Sequence, residues 1–167
     1  MDILLVIVTL ITGLMAGLYL GWAISVLPGF WPLEDRAMLV VFQQMNRSIL
    51  NKAFITLFIA ATFAAPATLV LYWSRLTDAD RYMMIVITFL LIVGHLLVTF
   101  LGNIPVNQRL DKMNIDTATN AEVVAMAALL KVNWRRLHWT RTVATTLAFL
   151  LLLVLIADIN QATILVH

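Results

Sequence analysis

Apolar residues run along this chain in four long blocks, near residues 3–27, 48–74, 82–104 and 140–158, separated by more polar connections of unequal length. Each block is close to the ~20 residues a helix needs to cross a bilayer, the last being the shortest. The first begins almost at Met1, preceded only by Asp2, and lacks the basic n-region of a secretory leader, so it is expected to be a permanent membrane helix. Pro66 within the second block predicts a kink, which a membrane bundle tolerates because neighbours satisfy the freed carbonyl. The pattern therefore predicts an all-α fold, a four-helix transmembrane bundle forming one domain over residues 1–167.

The connections differ in character. After the first span, Pro32, Glu34, Asp35 and Arg36 precede the apolar stretch Met38-Leu39-Val40-Val41-Phe42. A turn and a short interfacial helix leading into span two are expected there. Residues 74–81 read as a tight turn. Residues 102–141 form the long polar connection, and Thr119 with Glu122 has the spacing of a capping box. A helix opening there can run through Trp134 and continue as span four, giving that span a helical extension.

Charge orients the bundle. Arg36, Arg47 and Lys52 lie in or beside connection one, and Arg109, Lys112, Lys131, Arg135, Arg136 and Arg141 in or beside connection three, against Arg75 and Arg81 in connection two. By the positive-inside rule, connections one and three are expected in the cytoplasm and both termini outside. Trp22, Trp31, Trp134 and Trp139 then fall near the cytoplasmic interface, where an aromatic belt would sit.

Composition agrees with lipid as the solvent. Of the 167 residues 62% are hydrophobic and 12% charged, far from the roughly even apolar content and about one-quarter charge of a soluble domain. So short a chain cannot hide that much apolar surface inside itself. The net charge of +2, with no run of basic residues, gives no reason to expect nucleic acid. Cysteine is absent, which excludes disulfides, thiolate metal sites and cysteine nucleophiles.

Polar residues inside the apolar blocks recur on single helical faces. Span one carries Gly13, Gly17, Gly21 and Ser25, a small-residue face that admits a close backbone or a flat ligand. Gln43, Arg47 and Asn51, with Asn46 beside them, recur every fourth residue at the start of span two. His95, Thr99, Asn103 and Asn107 do the same at the end of span three, where Pro105 is expected to interrupt the helix. Trp134, His138, Arg141 and Thr145 share a face of span four. Helix packing and headgroup contact are the plain readings of these stripes. The deduced topology, however, puts all of them at one end of the bundle, and His95 lies deep in its apolar run. A common polar hollow open to the cytoplasm accounts for both.

The residues that form these stripes also carry a resemblance. Gly17-Leu18-Tyr19-Leu20-Gly21, Asn46-Arg47-Ser48 with Asn51, Asn103-Ile104-Pro105-Val106-Asn107 with Arg109, and Trp134 followed by His138, Arg141 and Thr142 occur in an order similar to the anthrone oxygenase-like family of small four-helix membrane proteins. His138 stands where many members have Asn. The resemblance implies oxidation of an anthrone by molecular oxygen with no metal or flavin. Its expected catalytic residues here are His138, His95, Arg141 and Asn103, with either histidine as base. Arg141, Arg109, Asn103 and Asn107 would hold an enolate oxygen. Trp22, Asn46, Arg47, Asn51, Asn107, Arg109 and Trp134 would bind the substrate, with Trp22 and Trp134 sandwiching its ring.

A metal or haem would need clustered His or carboxylate ligands. The chain has three histidines, one of them His167 at the tail, and the spans hold no acidic residue before Asp158 at the last position of span four. No metal and no cofactor are expected. Expected partners are membrane lipids and a hydrophobic aromatic small molecule, with a homo-oligomer left open. The competing function class is a non-catalytic protein that binds a lipid or hydrophobic molecule, or a subunit of a larger membrane complex.

Overall fold

The computed structural model describes the backbone of residues 3–165 and the side chains of residues 3–159; His167 and the tail positions fall outside the described residues. Five helices account for nearly all of it. Four are long and apolar enough to span a membrane: α1 (Ile3–Phe30), α3 (Lys52–Tyr72), α4 (Asp78–Asp111) and α5 (Asn120–Ile159, continuing as helix to Leu165). The fifth, α2 (Asp35–Ile49), is a short amphipathic helix between the first two. The chain is an all-α integral membrane bundle.

Local chemistry explains where the helices start. Glu34 accepts the Ala37 N–H at the head of α2, Asn51 accepts from Phe54 at the head of α3, and Thr77 accepts from Asp80 at the head of α4. Asp78 and Asp80 lie in the first turn of α4, where the helix dipole favours negative charge. Thr119 and Glu122 make the expected capping box, and α5 runs unbroken from there into its span. Within the spans, several threonine hydroxyls bond back to carbonyls four residues earlier, as Thr12 does to Val8 and Thr62 to Phe58, which meets their polarity locally.

Two expectations about helix continuity are corrected. Gln43, Arg47 and Asn51 do not share a helical face, because α2 ends at Ile49 and Asn51 spends its side chain capping the next helix. Pro105 does not break α4. The helix enters it through two π-helical stretches, Leu90–Leu97 and Thr99–Asn103, and Pro105 sits at the start of the α turn that follows, where a missing N–H matters little. Two more π turns, Trp22–Val26 in α1 and Leu130–Trp134 in α5, lie at the same end of the bundle.

Among the described residues there are two large apolar cores and a smaller one, Met15, Tyr19 and Ala61, between α1 and α3. In the membrane-spanning part, Leu5, Val8, Met84, Ile87, Leu91, Ala148, Leu152 and Leu155 pack α1, α4 and α5 together. At the other end, α2 buries Met38, Leu39 and Phe42 on Leu110, Val123, Met126, Leu130 and Trp134, forming a cap. Polar ties fix that cap. Arg36 donates to the carbonyls of Ile115 and Ala118, Gln43 donates to those of Leu110 and Met113, and Lys131 pairs with Asp35 at 2.7 Å. Outside, large apolar side chains such as Val70 and Leu101 stand exposed, as a lipid-facing surface requires.

The small-residue face of α1 is not uniformly a packing seam. A Cβ at Gly13 would strike Phe149, but one at Gly17 or Gly21 would meet open space. Among the glycines the tightest approach is at Gly94, whose added Cβ would stand 2.4 Å from that of Ala144.

Candidate functional site

At the capped end the four long helices do not close. They leave a cavity of about 820 Å³ with mostly apolar walls. Its floor comes from α1 and α5: Leu18, Tyr19, Trp22, Trp134, His138 and Arg141. Its sides are Phe54, Ile55, Phe58, Ile59 and Phe63 from α3 and Leu96, Leu97, Thr99, Phe100, Leu101 and Ile104 of α4, and its rim carries Asn46, Arg47, Asn107, Gln108 and Asp111.

Arg141 is the electrostatic centre of the floor. Its residue is only 9% exposed, yet among the described residues no carboxylate lies within ion-pairing distance of it. Its guanidinium donates to His138 Nδ1 at 3.2 Å and to Thr99 Oγ1 at 3.3 Å, and it lies 4.4 Å from the ring centroid of Tyr19 and 5.6 Å from that of Trp134. Neutral acceptors and aromatic faces therefore stand in for a counter-ion. They compensate a desolvated charge only in part, and the usual partner of such a group is an anion.

His138 is held at both nitrogens. The Tyr19 carbonyl can only accept, so the 3.1 Å contact makes Nε2 the protonated nitrogen, and Nδ1 receives Arg141. The ring also stacks on Trp134, with centroids 5.0 Å apart and planes 7° from parallel. Trp134 is fixed in turn by its Nε1–H, which donates to Asn107 Oδ1 at 2.8 Å, and by Phe42 edge-on at 4.9 Å. Asn103 donates to the Trp134 carbonyl at 3.3 Å. These bonds lie where π turns widen the helices and interrupt the usual backbone ladder, a feature frequent at functional sites.

The expected site residues separate into two groups. Trp22, Asn46, Arg47, Asn107, Trp134, His138 and Arg141 line the cavity. His95, Asn51, Asn103 and Arg109 do not. His95 is fully buried behind the floor, its ring packed 4.5 Å from Phe58 and 5.5 Å from Tyr19; the Phe58 carbonyl lies nearby, but no partner meets hydrogen-bond geometry at either nitrogen. Asn103 is buried behind Trp134, Asn51 is a helix cap, and Arg109 is exposed. Arg47 reaches the rim but is engaged with Asp111 at 2.6 Å. The expected ring sandwich is absent: Trp22 and Trp134 are 6.5 Å apart and 48° from parallel, which leaves no slot for a third ring. Trp134 is a core residue at 2% exposure rather than part of an interfacial belt.

The residues that sequence reasoning passed over are aromatic. Tyr19 touches His95, His138 and Arg141 alike, and Phe54, Phe58 and Phe100 line the walls. A tyrosine in mid-span is a polar group in lipid, and that was the available signal. Among the described residues no three His, Asp or Glu side chains stand close enough to hold a metal ion.

A family model described as anthrone oxygenase matches residues 38–151, more than half of the chain and all of the site except its α1 wall. No curated protein and no solved structure matches it.

Proposed function

The chain belongs to the anthrone oxygenase family, and from that premise we propose a membrane-embedded, cofactor-independent oxygenase whose cavity takes a flat, hydrophobic, anthrone-like aromatic. The observation that carries this reading is Arg141, a buried guanidinium without a carboxylate partner among the described residues, set in the floor of a mostly apolar cavity. By the charge asymmetry of the connections, this end of the bundle faces the cytoplasm.

An anthrone is a carbon acid. Loss of a proton from its methylene carbon places negative charge on the carbonyl oxygen and makes the central ring aromatic. A fixed guanidinium in a water-poor wall stabilises such a charge far better than solvent does. The substrate oxygen would compete with His138 Nδ1 for the N–H groups of Arg141. When the oxygen takes them, Nδ1 regains a lone pair and can accept the methylene proton, so His138 serves as base only in the loaded state. The carbanion then adds molecular oxygen to give a hydroperoxide. Loss of water from it leaves the quinone. In balance, one O₂ is consumed, the methylene carbon loses two hydrogens and gains one oxygen, and one water is released. Asn107, at the cavity wall, holds Trp134, on which His138 stacks.

The test is oxygen uptake by the purified chain with a hydroxylated anthrone, after subtraction of the protein-free rate. Arg141→Ala is expected to lower the enzymatic rate at least ~100-fold, the usual size of the loss when an oxyanion donor is removed. Unchanged uptake would refute the assignment.

A second reading draws on His138 itself. In the unliganded arrangement neither imidazole offers a free nitrogen to the cavity. A protein that only holds a hydrophobic acid or lipid would look the same. Saturable binding with no oxygen uptake would establish that reading.

A further inference from the structure

The cavity walls differ in exposure, and the difference marks a doorway. The floor residues Tyr19, Trp134, His138 and Arg141 are all buried. The apolar lining residues that stand open to the outside are Ile55, Ile59 and Phe63 of α3, with Leu50 just before that helix, and Leu97, Phe100 and Leu101 of α4. These two helices pack together along the first part of α4, and their contacts thin out beyond Leu97. Among the described residues no hydrogen bond or ion pair joins residues 54–63 to residues 96–104. The opening is thus an apolar slot between diverging helices, at the level of the bilayer's hydrocarbon.

The other approach, from the water side, is polar and bridged by side chains. Arg47 of α2 pairs with Asp111 of α4 at 2.6 Å across the rim, and Gln43 donates to the carbonyls of Leu110 and Met113 beside it. The cap core of α2 lies behind these bonds.

We infer that the ligand enters sideways from the membrane through the slot between α3 and α4, and that it is a bilayer-dissolved flat acid whose ionisable oxygen reaches Arg141 while its apolar body lies among Phe54, Phe58 and Phe100. This rests on the cavity being the ligand site, as proposed above. The chemistry of the walls selects the class. A freely water-soluble acid gains little from mostly apolar walls, whereas a neutral hydrocarbon leaves the guanidinium unmatched. A membrane-dissolved phenol, enol or aromatic acid satisfies both. It can cross the slot uncharged and ionise only where Arg141 receives it.

The experiment uses the full chain in phosphatidylcholine nanodiscs and anthracene-9-carboxylate as the probe, with stopped-flow energy transfer from tryptophan to anthracene as the readout. Ile59→Trp and Leu101→Trp each place bulk on the lipid-facing edge of the slot, where neither side chain supports the core. Val70→Trp, on α3 but outside the cavity and 75% exposed, is the control. Narrowing a route slows entry and exit alike. Association and dissociation are therefore expected to fall about tenfold together in the two slot variants, with Kd nearly constant and the control unchanged. Unchanged rates in both slot variants would overturn the route, as would a higher Kd with normal association, which would mean that the new ring fills the site rather than the doorway. Absence of saturable transfer in the unmodified chain would overturn the ligand site itself, and the route with it.

Discussion

Gly94 sets the distance between the two helices that carry Thr99 and Arg141. A methyl group there would stand 2.4 Å from the Ala144 Cβ, whereas ordinary contact begins at 3.4 Å. Neither carbon can rotate away, because both are fixed to backbone. Gly94→Ala therefore forces α4 and α5 apart by about 1 Å, and overpacking of this kind costs roughly 1–3 kcal/mol. The alanine returns up to ~1 kcal/mol in helix propensity. With the clash at the upper end of its range, the net loss is about 1–2 kcal/mol. Gly102 is the internal comparison. Its added Cβ would meet Leu137 Cδ1 at 2.8 Å, but that is the tip of a flexible side chain that can swing aside. Gly102→Ala should therefore come out near zero or slightly stabilising. Reversible unfolding in mixed detergent micelles reads both, since ~1–2 kcal/mol changes the folded-to-unfolded ratio about 5–30-fold. The Gly94 variant should also weaken ligand binding, because the Arg141–Thr99 contact, already 3.3 Å, would be lost. A Gly94→Ala protein as stable as the parent, or a Gly102→Ala protein that loses more, would refute this account of the helix interface.

Other consequences can be measured separately. Asn51→Ala removes the α3 cap and should lower stability by ~1 kcal/mol while leaving affinity for a flat aromatic acid unchanged; a large fall in affinity would put Asn51 back in the site. Trp134→Phe keeps a ring against His138 but strips Asn107 Oδ1 of its donor, so a double-mutant cycle with Asn107→Leu should show a coupling of about 1 kcal/mol. Additive effects would mean that the bond contributes nothing. Nitrogen-15 NMR of His138 should report the Nε2–H tautomer in the empty protein and a shift at Nδ1 when an acid binds, and an Nδ1–H tautomer at rest would contradict the Arg141 contact.

Much of the architecture was legible because lipid imposes a coarse rule. Four apolar blocks gave four spans, and Thr119 with Glu122 marked the start of α5 to the residue. The site was legible only as far as helical period could carry it. Trp134, His138 and Arg141 do share a face, because α5 is continuous there even through a π turn. The stripe containing Asn51 failed because Leu50 and Asn51 leave helical geometry, and a fourfold spacing says nothing across a helix end. The α4 stripe failed differently. Two π stretches change the number of residues per turn, so His95, Thr99, Asn103 and Asn107 do not all face one way; Thr99 and Asn107 reach the cavity while His95 and Asn103 lie behind it. Tyr19 went unread because its neighbours are apolar and only tertiary packing brings Arg141 onto its ring.

The proposed oxygenase activity and the route from the membrane both require a bound molecule to choose Arg141. A solved structure of the chain with a tight-binding hydroxylated anthraquinone would show this directly. The expected result has one ring oxygen within hydrogen-bond distance of the guanidinium, the bond from Arg141 to His138 Nδ1 broken or lengthened, and the fused rings lying among Phe54, Phe58 and Phe100. A ligand seated outside the cavity, or a filled cavity with Arg141 still turned to His138 and Thr99, would contradict it.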